Sequence, residues 1–242
     1  GALGDTTTGA SNTAGGRGSL NKNTTASNNT AVGHSALTAN TTGTNNVAVG
    51  KHALVASSIA DGNTAVGVDA GASISTGQYN TAIGLVAMTG ATYTGSFNSS
   101  IGYNANPSAA GSAGQFTLGD GNITNLRCND TSISALSDSR DKTDVINSPY
   151  GLDFINTVRP VQFKWETRDG NAKDGSTRIG FLAQELLEAT DGNNAVLDLV
   201  LDDNPDKLEA KYGNLLPIAI KAIQQLSAQN AALTVRIEAL ES

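Results

Sequence analysis

The sequence predicts a mainly β repeat shaft followed by a small α+β domain that ends in a coiled-coil helix. The shaft is expected as a trimeric β-solenoid or β-roll, or as an interwoven triple β-helix. Three observations predict this. A short motif ending in glycine returns every 17 residues through most of the first half. Composition changes at Ser137, with no glutamate before it and all six after it. The final segment carries a heptad of Ile and Leu. The expected divisions are a shaft over 1–106, a β connector over 107–136 and a C-terminal domain over 137–242, with its coiled coil over about 215–241.

The repeat is the strongest signal. Asn29-Thr30-Ala31-Val32-Gly33 returns as Asn46 to Gly50, Asn63 to Gly67, Asn80 to Gly84 and Asn98 to Gly102, at spacings of 17, 17, 17 and 18. Asn12-Thr13-Ala14 is a degenerate first copy. Three residues after each closing Gly stands a small residue: Ala36, Ala53, Ala70, Ala87 or Ala105. Leu37, Leu54, Gly71, Met88 or Asn106 follows it, and turn signals such as Thr76-Gly77 and Asp61-Gly62 precede the Asn. A fixed period with short β-prone segments and glycine turns reads as stacked rungs. A disordered linker of the same composition would not keep Val or Ile at one position. Each rung offers one Val or Ile and about one Leu or Met as core. That is little apolar area against roughly 1 kcal/mol or more of ordering entropy per residue. The array is therefore expected to need other chains beside it, with the repeated Asn forming a ladder along the stack.

The remaining composition excludes several classes. Net charge is −7, which disfavours nucleic acid and anionic membrane. A single cysteine, Cys128, rules out an intrachain disulfide and a cysteine metal cluster, and it is expected as a small buried residue. No apolar run is long enough to span a bilayer, so membrane insertion is not expected. The first residue is Gly1, so a longer parent chain is expected. His34 and His52 are read as exposed polar residues on a rung, not as a metal pair, and neither metal nor cofactor is called for. Tyr79, Tyr93, Phe97 and Tyr103 are read as rung core or interchain packing, with a glycan-stacking surface as the alternative. In the connector, Phe116 to Gly119 and Ile123 to Cys128 read as two strands about the turn Asp120-Gly121-Asn122. Ser132 to Leu136 leads extended into the seam.

At the seam, Ser137-Asp138-Ser139-Arg140-Asp141-Lys142 places a serine and a lysine five residues apart. Such a pair can do acyl chemistry without histidine. A neutral lysine amine takes the hydroxyl proton, and the hydroxyl attacks a carbonyl. The lysine must shed its own proton, which burial or a neighbouring cation favours. Arg140 is the local candidate for that cation, or for an anchor of the loop. Attack on the carbonyl of Leu136 would turn the Leu136–Ser137 amide into an ester that water then breaks. The spacing alone does not single out catalysis, since Asp138-Ser139 would equally cap a turn.

Further motifs follow in order: Gly151-Leu152, Arg159-Pro160-Val161-Gln162-Phe163-Lys164-Trp165, Ile179 to Leu186, and Tyr212-Gly213-Asn214-Leu215-Leu216-Pro217 before the terminal helix. With the seam they resemble the C-terminal intramolecular chaperone of endosialidases and of phage tail spikes and fibres, a self-cleaving serine peptidase family. A related module occurs in membrane-anchored myelin-regulatory transcription factors. The resemblance implies Ser137 as nucleophile, Lys142 as its base, and cleavage between Leu136 and Ser137. It also implies a homotrimer whose chaperone leaves once the fibre has folded. The repeats resemble those of phage tail fibres and of the heads of trimeric bacterial adhesins.

Within the C-terminal domain, Phe154 to Val158 reads as the end of a short helix before Pro160. Val161 to Trp165 and Arg178 to Leu182 read as paired strands about a turn at Arg168 to Asn171, with Trp165 in the core. Ala183 to Ala189 is helical in pattern, with Gln184 and Glu185 anchoring a helix start or loop. Val196 to Leu201 reads as a strand, with Leu208 to Tyr212 returning beside it. The heptad places Ile223, Asn230 and Ile237 at one seam position and Leu226, Leu233 and Leu240 at the other. By rule such a seam favours a parallel dimer. A short helix joined to a threefold body takes its symmetry from that body, so a trimer is expected.

The combined expectation is the distal part of a phage tail fibre or spike for host-surface recognition, located in the virion tail. Its partners would be a host receptor, presumed to be a glycan, and other tail proteins through the missing N-terminus. The cleaved chaperone would be released in the host cytoplasm. A bacterial surface adhesin with the same chaperone is one alternative. A polysaccharide depolymerase is another, but the sequence before Ser137 holds five scattered Asp and no Glu.

Overall fold

The computed structural model describes residues 1–123, 125–129, 135–165 and 175–241. The expected extended lead through Ser132 to Ser134 and the turn at Arg168 to Asn171 lie outside them. The chain divides into two compact units, Gly1–Asn125 and Leu126–Ser242.

The first unit is a β-solenoid. Its strands are β1 (Thr13–Gly15), β2 (Thr30–Val32), β3 (Val47–Val49), β4 (Thr64–Val66), β5 (Thr81–Ile83), β6 (Ser99–Ile101) and β7 (Phe116–Leu118), stacked in chain order as one sheet. All pairs are parallel and in register, so each motif residue lies on its counterpart: Ala31 on Ala48, Ala65 on Ala82. The rungs pair within one chain, which answers the choice between a roll and shared strands. β7 comes from the segment expected to form a connector hairpin. It pairs parallel with β6 as a further rung, and no described strand forms over Ile123 to Cys128.

The strand parity corrects the expected core. In β2 to β6 the middle residue, Ala31, Ala48, Ala65, Ala82 or Ser100, is fully buried. The Val or Ile after it points outward, and Val32, Val49, Val66, Ile83, Ile101 and Leu118 are 37–45% exposed. The interior is a row of alanines facing a row of Leu20, Leu37, Leu54 and Met88. Those four larger residues sit at the turn after the strand with φ between 48° and 52°. Left-handed backbone costs a non-glycine residue about 1 kcal/mol or more. Burying each side chain stabilises by about 2 kcal/mol, so burial wins. Where Gly71 takes that position, Ile74 fills the space; a Cβ on Gly71 would meet Leu54 and Ile74 at 2.9 and 3.1 Å. The glycine closing each motif is required by stacking. Gly50 has φ +136°, and a Cβ there would lie 2.2 Å from the carbonyl oxygen of Gly67.

The expected asparagine ladder forms. The backbone N–H of each motif Asn donates to the Oδ1 of the one before it, for example Asn63 to Asn46 at 2.9 Å and Asn80 to Asn63 at 2.8 Å. Its Nδ2 donates to the turn carbonyl of the next rung, as Asn63 does to Gly77 at 2.8 Å. These side chains are fully buried or nearly so, and they satisfy backbone groups that a narrow interior hides from water. We expect Asn63→Ala to strand the Asn80 N–H and the Gly77 carbonyl. The cost is about 2–4 kcal/mol, measured as a lower denaturant midpoint of the shaft.

Tyr93 is buried and its hydroxyl meets Asn106 and the carbonyl of Thr89. Tyr79, Phe97 and Tyr103 are exposed, so of the expected placements rung core does not hold for them; Tyr79 and Phe97 stack with centroids 5.2 Å apart. His34 is exposed, and the half-buried His52 meets it edge to face and lies 3.1 Å from Asp69.

The second unit holds α1 (Leu152–Ile155), the hairpin of β8 (Val161–Lys164) with β9 (Thr177–Gly180), α2 (Ala183–Ala189), α3 (Asn194–Leu197), the pair β10 (Val200–Leu201) with β11 (Glu209–Ala210), and α4 (Leu215–Glu241). The strand expected over Val196 to Leu201 is shortened by α3. Asp198, in left-handed conformation, turns the chain, and Asn194 brackets Val200 with two side-chain bonds. Leu186, Leu197, Leu199, Val200, Leu215 and Ile218 form the core, with Tyr150, Phe154 and Phe181 packed around it. Pro217 falls in the first turn of α4, where no backbone donor is needed. α1 packs on α4, and Gln225 accepts the N–H of Leu152 at 2.6 Å. Trp165, expected in the core, is half exposed and stands edge to face with Phe163. Cys128 is free and exposed, not buried.

Candidate active site

The seam folds into one tight turn. Ser139–Asp141 form a 3-10 turn whose N-cap is Asp138. Asp138 Oδ1 accepts the backbone N–H of Arg140 at 2.9 Å, and Lys142 N–H closes the turn on the carbonyl of Ser139 at 3.3 Å. The chain returns on itself there, and Lys142 Nζ lies 2.5 Å from Ser137 Oγ. The geometry therefore brings together the two residues singled out by spacing. Contact at this distance permits direct proton transfer from hydroxyl to amine.

Arg140 is occupied by Asp138. Its Nε donates to both carboxylate oxygens, at 3.0 and 3.2 Å, and its Nη2 donates to Oδ2 at 2.6 Å. The guanidinium fork, then the Arg140 backbone N–H, hold the Asp138 carboxyl below its ordinary range, and the pairing raises Arg140. Of the two expected roles for Arg140, the anchor is the one with contacts. The turn cap expected at Asp138-Ser139 falls on Asp138.

Leu136, immediately before Ser137, is fully exposed, and every residue from 135 to 149 is exposed. Among the described residues no group of three His, Cys, Asp or Glu could hold a metal ion. Glu185 is tied to Arg159, with Nε donating at 3.0 Å and Nη2 making a second contact, so it anchors the loop before β8 to α2. The heptad residues lie on α4, with Ile223, Leu226, Leu233, Ile237 and Leu240 all exposed. No described helix is long and apolar enough to cross a membrane.

A family model described as the chaperone of endosialidase, a peptidase family, matches residues 137–197. This segment, about a quarter of the chain, is similar to that family. The match begins at Ser137, the residue at which composition changes and the turn opens. Tyr212 to Pro217 and the terminal helix lie beyond it. No curated protein and no solved structure matches the chain. The family implies self-cleaving peptidase activity in general and a trimeric tail-fibre type of assembly, with a virion location. The chain thus joins a β-solenoid to a segment similar to the chaperone of endosialidase.

Proposed function

We propose that the chain is the distal part of a homotrimeric tail fibre or spike that recognises a host surface. The chaperone domain gathers three chains, templates the winding of their shafts, and then releases itself by cleavage between Leu136 and Ser137. The observation that carries this reading is the 2.5 Å contact between Lys142 Nζ and Ser137 Oγ at the first residue of the matched domain.

Neutral Lys142 takes the Ser137 hydroxyl proton while Oγ attacks the carbonyl carbon of Leu136. The Leu136–Ser137 C–N bond breaks, the nitrogen takes from Lys142 the proton that Lys142 received and becomes the free amine, and the acyl group rests on Oγ as an ester. Water then hydrolyses the ester, leaving a carboxylate on Leu136 and restoring the hydroxyl. Attack on a tethered neighbour gains from proximity, so an open site suffices for one turnover.

The shaft supplies the reason for a chaperone. Its outward row of Val32, Val49, Val66, Ile83, Ile101 and Leu118 runs roughly 25 Å at about 4.8 Å per rung. We assign this row as the seam on which three shafts meet, and the exposed heptad face of α4 as the seam of a three-stranded coiled coil. Separate chains must meet in register before the shaft seam can form, which makes nucleation slow and favours a terminal clamp. A chain lacking residues 137–242 from synthesis is expected to aggregate or stay unfolded, while the full chain yields a soluble trimeric shaft by mass. A soluble trimer from the truncated chain would remove the chaperone role. The target is assigned as a cell-surface receptor of glycan type by the tail-fibre reading.

A further inference from the structure

We propose that Asp138 and Arg140 are positioning residues for the cleavage: an ion-paired cap that folds Lys142 onto Ser137 and cancels the Asp138 charge within the same turn. This rests on the reading of Ser137 and Lys142 as nucleophile and base.

The positional part follows from chain geometry. Residues five apart on an extended chain are separated by roughly 17 Å. Only a turn brings the two side chains into contact, and its first bond is the one Asp138 accepts from the Arg140 N–H. Asp138 itself is extended, at φ −65° and ψ 135°, so its carboxylate faces forward over the turn. The Arg140 fork then fixes that carboxylate with three further contacts.

The electrostatic part concerns which form of Lys142 can act. A bare carboxylate beside an amine favours its charged form, and the charged form cannot take a proton from Ser137. Arg140 neutralises Asp138 at contact distance and adds a cation to the same turn. Residues 135–149 are all exposed, and the charged groups of the segment that carries Lys142 are Asp138, Arg140 and Asp141, with Asp144 just beyond. Arg140 pairs with Asp138 rather than with Asp141.

Charge and shape separate in three variants. Arg140→Gln leaves the carboxylate uncompensated and is expected to slow cleavage at neutral pH by about threefold. Asp138→Asn keeps a capping oxygen but leaves the guanidinium unpaired, and is expected to speed cleavage at the same pH by a similar factor. Both changes shrink in 1 M salt. Asp138→Ala removes the cap as well, and is expected to cut more slowly than Asp138→Asn at every pH. Each variant is also made with Ser137→Ala, so that trimer mass reports folding apart from cleavage. Folded trimers in which Arg140→Gln and Asp138→Asn keep the wild-type rate, or shift it the same way, overturn the proposal. If wild type is not cut, or Ser137→Ala is cut, the dyad itself falls and this assignment falls with it; coincident rates above a working dyad remove the pair alone.

Discussion

Ser137→Ala is expected to leave the chain uncut, where wild type separates into residues 1–136 and 137–242. No other hydroxyl stands within bonding distance of Lys142 Nζ among the described contacts, so loss of Oγ removes the nucleophile rather than redirecting it. Lys142→Ala should be as inert, because no other described base reaches Oγ. Lys142→Arg should not restore cutting, since a guanidinium keeps its proton at any working pH. The effect should be all or none over the time in which wild type finishes. The shaft should fold in the uncut protein, because the seam turn contributes no buried residue to either core. Intact mass after folding checks all three variants, and a Ser137→Ala chain split like wild type would remove Ser137 as nucleophile.

Much of this arrangement was legible before the structure. The period gave the rungs because a solenoid reuses one backbone path, so Asn29, Asn46, Asn63, Asn80 and Asn98 had to recur together. The ladder was legible for the same reason. The facing of Val and Ile was not. Hydropathy assigns them inward, but a rung narrow enough for Ala65 to lie against the Leu54 row has no room for a second branched chain. Parity within a three-residue strand, with its middle residue buried, then turns Val66 out. β7 was misread because Gln115 replaces the motif Asn; yet Gln115 N–H still donates to Asn98 Oδ1 at 3.0 Å, so the backbone keeps the path after the motif has degraded. At the site, Ser137 and Lys142 were legible by type and spacing, and the five-residue gap made sense only once Asp138 was seen to close the turn. Cys128 and Trp165 were assigned inward by residue type, and both are exposed in the described chain.

Ile83→Asp with Ile101→Asp is expected to abolish the trimeric shaft while leaving each chain's own rungs intact. Both side chains are more than one-third exposed and point away from the alanine row, so neither substitution opens a cavity inside the solenoid. In a threefold seam each layer would hold three carboxylates with no cation in either row: Thr81 and Ser99 lie beside them on the same strands. Burying an unpaired carboxylate costs several kcal/mol, and three in one layer also repel. Thr42→Asp is the control, because Thr42 is exposed on a turn away from the strand face. The control should assemble and be cut like wild type. The double variant should retain the β-sheet circular dichroism of a wound shaft but sediment as single chains, or aggregate through what remains of the row. Cleavage separates two versions of the model. If the chaperone domain alone holds three chains, the double variant is still cut and then falls apart into single shafts. If cutting waits for a completed shaft, the double variant stays intact. A cut, stable trimer from the double variant would place the contact between shafts on some other face.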